Sequence, residues 1–197
     1  MPAAARQSRS DTADKILDLA ETLIQTRGYS AFSYQDISDA LAIRKASIHY
    51  HFPSKTELGI AVIDRYIERF GAALEEVEAE DKLSSMGMLD YYVAPYLQYA
   101  RTADKVCLCG ALAGEMMALP APLRQRVDRF FKTHQKWLAG ILKRGVTRGE
   151  FKLATSPEKM ARLILGALQG ALLVKRTTAD PSQMRDVVTA LKAQIAA

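Results

Sequence analysis

The chain has 197 residues, 49% of them apolar and 25% charged, with a net charge of +5 and a pI near 9.2. This is the composition of a soluble globular protein of one large or two modest domains. No apolar run reaches the ~18 residues that span a bilayer, and the polar opening Met1–Ser10 lacks the apolar stretch of a signal peptide, so a cytoplasmic protein is expected. Cys107 and Cys109 lie one residue apart, which fits neither a disulfide framework nor paired zinc ligands.

The spacing of Ile16, Leu17, Leu19, Ala20, Leu23 and Ile24 predicts an amphipathic helix over 11–27, closed by Gly28 in the left-handed position. Ser33 with Asp36 three residues on forms a capping box for a short second helix with Ile37, Ala40 and Leu41 inward, ending near Ala42. After a tight turn, Lys45–Phe52 is a third short helix, basic and aromatic, interrupted by Pro53. Ser54-Lys-Thr-Glu57 caps a fourth, longer helix carrying Leu58, Ala61, Val62, Tyr66, Ile67 and Phe70 on its apolar side. A capped short helix, a tight turn and a basic helix follow one another as in a helix-turn-helix, whose second element enters the DNA major groove. Arg6, Arg9, Lys15, Arg44, Lys45 and Lys55 concentrate positive charge in this quarter of the chain.

A polar break at Glu80–Ser85 precedes renewed helical periodicity from Met88 to Tyr99. Val106–Leu119 is apolar and rich in alanine, Pro120-Ala-Pro122 punctuates it, and Leu123–Val146 reads as a long helix stopping near Gly145 or Gly149. Ser156-Pro157 supplies an N-cap and a first-turn proline for a helix with a wide apolar face, and Asp180-Pro-Ser-Gln183 opens the last helix in a similar way. Gly166, Ala167, Gly170 and Ala171 permit close helix–helix approach. Tyr92, Tyr96, Met116, Phe130, His134 and Trp137 are the candidate ligand-binding residues: mostly apolar groups with a few polar handles, suited to a neutral hydrophobic or aromatic molecule.

The run from Gly28 to Leu58, GYSAFSYQDISDALAIRKASIHYHFPSKTEL, resembles the DNA-binding region of TetR/AcrR-type transcriptional regulators. It departs from the usual pattern at Ala46, where glycine is common, and at His49, where tyrosine is common. The resemblance implies an all-α fold: an N-terminal three-helix helix-turn-helix DNA-binding domain followed by a helical ligand-binding and dimerisation domain. The domains are expected at 1–55 and 56–197, with helix four connecting them from about 54. It places Tyr34 and Gln35 against the DNA backbone and Arg44, Lys45, Ser47, His49 and Tyr50 on the groove-facing helix. Arg44 and Lys45 can donate to guanine edges or phosphates, Tyr50 and His51 can bond phosphate or pack on sugar, and Lys55 adds charge beside a helix N-terminus.

The resemblance also implies a homodimer through about 156–176 and 182–195, reading a palindromic double-stranded operator and released by a small hydrophobic or electrophilic effector. Val106–Glu115 resembles the sensor-domain opening of relatives, some of which use a cysteine here to detect electrophiles or oxidants; with Lys105 just before it, Cys107 is the candidate thiol sensor ahead of Cys109, the alternative being that both cysteines fill a tight helix junction. An activator, a helical small-molecule-binding protein or an enzyme are the alternatives. No phosphate loop, G-x-S-x-G or H-E-x-x-H motif is present, and Glu115 with His134 is the sole pairing that suggests an acid–base site. His49 and His51 diverge by roughly 200° on a helix and make a poor metal pair, so neither a metal nor another cofactor is expected.

Overall fold

The computed structural model describes residues 2–79 and 83–196. The described residues are 78% helical, with nine helices and no strands. They run α1 (Pro2–Arg27), α2 (Tyr34–Leu41), α3 (Lys45–His51), α4 (Lys55–Ala79), α5 (Ser85–Ala100), α6 (Leu108–Gly114), α7 (Ala121–Thr147), α8 (Pro157–Thr178) and α9 (Gln183–Ile195). The chain divides into two compact units, Met1–Ile67 with Leu108–Val127, and Glu68–Cys107 with Asp128–Ala197. The first unit therefore takes in a segment that the linear reading grouped with the sensor.

Local chemistry accounts for most helix ends. Ser33 and Asp36 form the reciprocal capping box of α2: the Ser33 Oγ accepts from Gln35 N at 3.2 Å and Asp36 Oδ2 accepts from Ser33 N at 2.8 Å. Ala42 closes α2 in the left-handed region at φ 52°, and its neighbour Ile43 donates N–H to the Ser38 carbonyl. Ser156 caps α8 ahead of Pro157. Two helices differ from expectation. α1 begins at Pro2 rather than near Asp11, because proline suits a first helical position and the following alanines are strong helix formers. At α9 the N-cap Ser182 makes no side-chain cap bond; Asp180 Oδ1 instead accepts from both Ser182 N and Ser182 Oγ at 2.8 Å, tightening the turn before the helix. Of the predicted break at 80–85, residues 80–82 lie outside the described residues, and Ser84 caps α5.

In the first unit, Ile16, Ala20 and Ile24 of α1, Ile37 of α2, Ile48 of α3, and Leu58, Val62, Ile63 and Tyr66 of α4 are buried in the core, which Leu112 and Leu123 complete. Polar ties fix the helices around it. Arg65 reaches Asp18 at 2.7 Å and the nearly buried Glu21 at 3.5 Å, joining α4 to α1. Arg126 Nε donates to Asp64 Oδ1 at 2.8 Å, joining α7 to α4. In the second unit α5 packs on α8 and α9, with Met88, Leu89, Tyr92 and Tyr96 meeting Ile164, Leu168 and Leu172 in one buried core. Lys175, buried on α8, donates from its ammonium to the carbonyls of Thr102 and Ala103, just beyond the C-terminus of α5. Gly145 is required near the end of α7, since a Cβ there would lie 2.1 Å from the ring of Phe151.

Candidate nucleic-acid interface and sensor core

α3 is seven residues long, too short to be stable alone, and is held by what it buries. Ile48 is its fully buried anchor. Around that anchor Arg44, Lys45, His49 and Tyr50 are exposed, Tyr50 at 61%, while Ser47 and His51 are half-buried. Arg44 stands at the N-cap in extended backbone with no side-chain cap bond. Two cations and an exposed tyrosine at the entry and along one face of a short helix are the donors that phosphates and base edges accept from.

Tyr34 is placed differently from its expected contact with DNA. It is buried, its hydroxyl donates to the Phe52 carbonyl at 2.7 Å, and burial pushes its pKa up to about 12. The ring meets His49 edge-on at 4.7 Å, so Tyr34 braces α3 from beneath. His49 Nδ1 lies 3.2 Å from the Pro53 carbonyl and must be the donor there, which leaves Nε2 an acceptor in the neutral ring. Gln35 is exposed, and its amide donates to Asp39 at 2.5 Å.

Lys55 is also turned to an internal role. Its ammonium donates to the Phe32 carbonyl and lies 4.7 Å from the Tyr29 ring centroid and 4.5 Å from that of Phe32. Partial burial lowers its pKa, opposed by the charges of Glu115 and Asp36. Lys55 thus ties α4 to the loop ahead of α2, which commits at least one of its three N–H groups within the fold. Sequence spacing places Lys55 beside a helix N-terminus but carries no information about the carbonyl across from it.

In the second unit five of the six candidate ligand residues come together. Tyr92 stacks on Trp137 with centroids 5.5 Å apart and planes inclined by 19°, and its hydroxyl lies 3.0 Å from His134 Nδ1. Phe130 lies 3.9 Å and Phe70 5.8 Å from the His134 ring, and Tyr96 lies 5.9 Å from Tyr92. Burial lowers the His134 pKa to about 4 and raises that of Tyr92, so the imidazole is neutral and its tautomer sets which of Nδ1 and the tyrosine hydroxyl donates in the bond between them. Trp137 Nε1 is buried without a hydrogen-bond partner. Sequence reasoning left out Phe70 and Gln169, whose Nε2 donates to the Tyr96 hydroxyl at 3.2 Å; a glutamine within the apolar face of α8 was the available signal.

Met116 belongs to the first unit, in the turn after α6. Glu115 does not form an acid–base pair with His134: its carboxylate oxygens accept from the N–H groups of Tyr29 and Ser30. Cys107 is buried immediately before α6, and Cys109 is buried within it. An open cationic groove of about 460 Å³ runs between α7 and α8, lined by Lys132, Lys136, Lys143 and Arg162 with Glu158.

The sequence of residues 16–62 matches the family model for bacterial regulatory proteins of the tetR family, and residues 87–191 match that for the tetracyclin repressor-like C-terminal domain. The chain belongs to the TetR family of bacterial transcriptional regulators. A solved TetR-family regulator from Agrobacterium tumefaciens is 31% identical, with 96% of this chain and all of that one covered at a TM-score of 0.90. An uncharacterized HTH-type regulator from Lactococcus lactis is 30% identical over 86% of each chain. The HTH-type transcriptional repressor DhaR of a Mycobacterium species is 23% identical over 84% of this chain and 83% of its own. TetR-family membership makes the chain a regulator rather than an enzyme. Among the described residues no helix is long and apolar enough to cross a membrane, and no group of three metal-ligating side chains is found.

Proposed function

We propose that this TetR-family regulator is a ligand-responsive repressor that reads a palindromic operator as a homodimer. The observation that carries the DNA-binding part is α3 itself: Arg44, Lys45, His49 and Tyr50 are exposed around a completely buried Ile48. Arg44 and Lys45 supply base-edge or phosphate donors, Ser47, Tyr50 and His51 supply shorter contacts, and Gln35 stands at the exposed start of α2. The repressive sign is supported by relatives named as repressors, DhaR among them.

Dimerisation through α8 and α9 is supported by the outer face of α8. Leu163, Leu173 and Val174 are 43–48% exposed in the single chain, and Cβ atoms added at Gly166 and Gly170 would meet nothing within 4 Å. A face of large apolar residues and bare glycines at helical spacing suits a second helix laid closely against it. A two-fold pair of readers then requires a palindromic site, with half-sites about one turn of DNA (~34–36 Å) or a related spacing apart.

The effector reading rests on the Tyr92–His134–Trp137 cluster. A neutral imidazole, protonated tyrosines and an unpartnered indole N–H offer hydrogen bonds without net charge, which suits a small neutral aromatic or hydrophobic molecule. Ligand and operator then oppose each other by population shift, with a coupling of ~1–3 kcal/mol changing operator affinity by roughly 5–150-fold.

Selection of binding sites from randomised duplex DNA at fixed salt tests the proposal. The expected result is an enriched palindrome bound by a dimer, with Arg44→Ala relaxing the preference at one symmetric pair of positions. Absence of any enriched sequence overturns it.

A further inference from the structure

Glu115 lies directly after α6, far in sequence from α1–α3, yet it belongs to the same compact unit. Its two carboxylate oxygens are both committed to the loop that joins α1 to α2: Oε1 accepts from Tyr29 N at 2.7 Å and Oε2 from Ser30 N at 2.9 Å. A charged acceptor on two consecutive backbone donors is a strong and directional contact, because it fixes the orientation of the peptide planes as well as their position. The adjoining Gly28 is shaped around it. Gly28 has φ +96°, and a Cβ there would lie 2.2 Å from Glu115 Oε1. The carboxylate and the bare Cα therefore occupy one joint, and neither partner tolerates an ordinary side chain in the other's place.

This joint lies at the root of the helix-turn-helix. Tyr29 and Phe32 flank the Lys55 ammonium, which in turn holds the Phe32 carbonyl, and Ser33 caps α2 one residue later. The Tyr34 hydroxyl then passes the constraint to the Phe52 carbonyl at the end of α3. From Glu115 to the end of α3 the joint is tied by hydrogen bonds on backbone groups and by the Lys55 ammonium set between two rings.

We propose that Glu115 is a positioning residue for operator binding: by holding the Tyr29 and Ser30 N–H groups it fixes the α1–α2 loop, and with it the heading of α3, to the segment 108–127. The proposal rests on the reading of α3 as the DNA-contacting helix. Glu115 touches no DNA in this scheme. Its loss changes where the reader points and leaves the number of phosphate contacts unaltered.

The test uses the full-length protein and a duplex selected from randomised DNA, together with the same duplex carrying one base pair inserted between its half-sites. If the wild-type protein enriches no duplex, the reading of α3 fails and the proposal falls with it, before any variant is made. With a selected duplex in hand, Glu115→Gln keeps the shape of the side chain but turns one acceptor into a donor facing an N–H. The expected result is a ~5–50-fold rise in Kd, weaker discrimination against the inserted base pair, and an unchanged dependence of log K on log salt. Hydrogen exchange at the Tyr29 and Ser30 amides should quicken at the same time. Gly28→Ala attacks the joint from its other side and keeps the test open if the glutamine variant folds poorly; combined, the two should weaken binding by less than the product of their separate effects. Wild-type affinity and spacing discrimination in Glu115→Gln, with protection of the two amides gone, would overturn the proposal. So would a changed salt dependence, which would mark Glu115 as an electrostatic contributor and not a positioning one.

Discussion

His134 makes the stability of the second unit depend on pH in a way that can be worked out in advance. The residue is 4% exposed, with Phe70, Phe130 and Tyr92 against its ring, and burial lowers its pKa from 6.5 to about 4. The unfolded chain takes up a proton below pH 6.5, whereas the folded chain stays neutral until about pH 4. The folded state is therefore disfavoured progressively as pH falls between those values, and the contribution of the neutral ring is fully present only above 6.5. At ~1.4 kcal/mol per pH unit the whole window is worth about 3 kcal/mol, and about 2 kcal/mol is lost between pH 7.5 and 5. Urea unfolding at fixed protein concentration, followed across that range for the wild type and His134→Gln, isolates the effect. Glutamine can accept from the Tyr92 hydroxyl but does not titrate, so the wild-type curve should fall by about 2 kcal/mol more than the variant's. Parallel curves would show that the imidazole titrates alike in the folded and unfolded chains, and would remove the argument for a neutral effector.

Lys55→Met should lower stability by about 1–3 kcal/mol by leaving the Phe32 carbonyl without its donor, yet leave the salt dependence of operator binding unchanged. Lys45→Ala should reduce that dependence by about one ion, and a reduction with Lys55→Met instead would return Lys55 to the DNA surface. Leu173→Glu should leave each subunit folded, since Leu173 is exposed in the single chain, while raising the dimer dissociation constant by at least roughly 100-fold in sedimentation equilibrium; an intact dimer would exclude that face of α8. Ser33→Ala removes the α2 cap at a cost of about 1 kcal/mol, and NMR titration should show the Asp36 pKa, now held below 3.8 by bonds from Ser33, returning toward that value.

Much of the fold could be read from the sequence because its signals are local. Ser33 with Asp36, Ser156 with Pro157, and Gly28 each act within four residues, and all three mark the ends they predict. The exposed basic face of α3 was legible for the same reason, since Ile48 stands out as the apolar residue among polar neighbours. What escaped depends on partners distant in sequence. Lys55 and Phe32 are 23 residues apart, and Glu115 and Tyr29 are 86 apart. A lysine beside a helix N-terminus suggests a phosphate, and nothing local announces the backbone carbonyl that it also meets. Met116 shares its chemistry with the aromatic cluster, but the chain carries it into the other unit.

Both units have buried apolar cores, and they differ in the contacts arranged around them. Around the reader the ties are polar and directional: Arg65 to Asp18 and Glu21, Arg126 to Asp64, Lys55 to Phe32, Glu115 to Tyr29 and Ser30. Around His134 the contacts are aromatic faces and edges, joined by the Tyr92–His134 and Gln169–Tyr96 hydrogen bonds. α4 is one unbroken helix that contributes Asp64 and Arg65 to the first set and Phe70 to the second. If a ligand entering the cluster shifted the backbone at Phe70, the motion would run along this same helix to Arg65 and Asp64, five and six residues back, and the ion pairs they make are the contacts at which an effect on operator affinity would be sought.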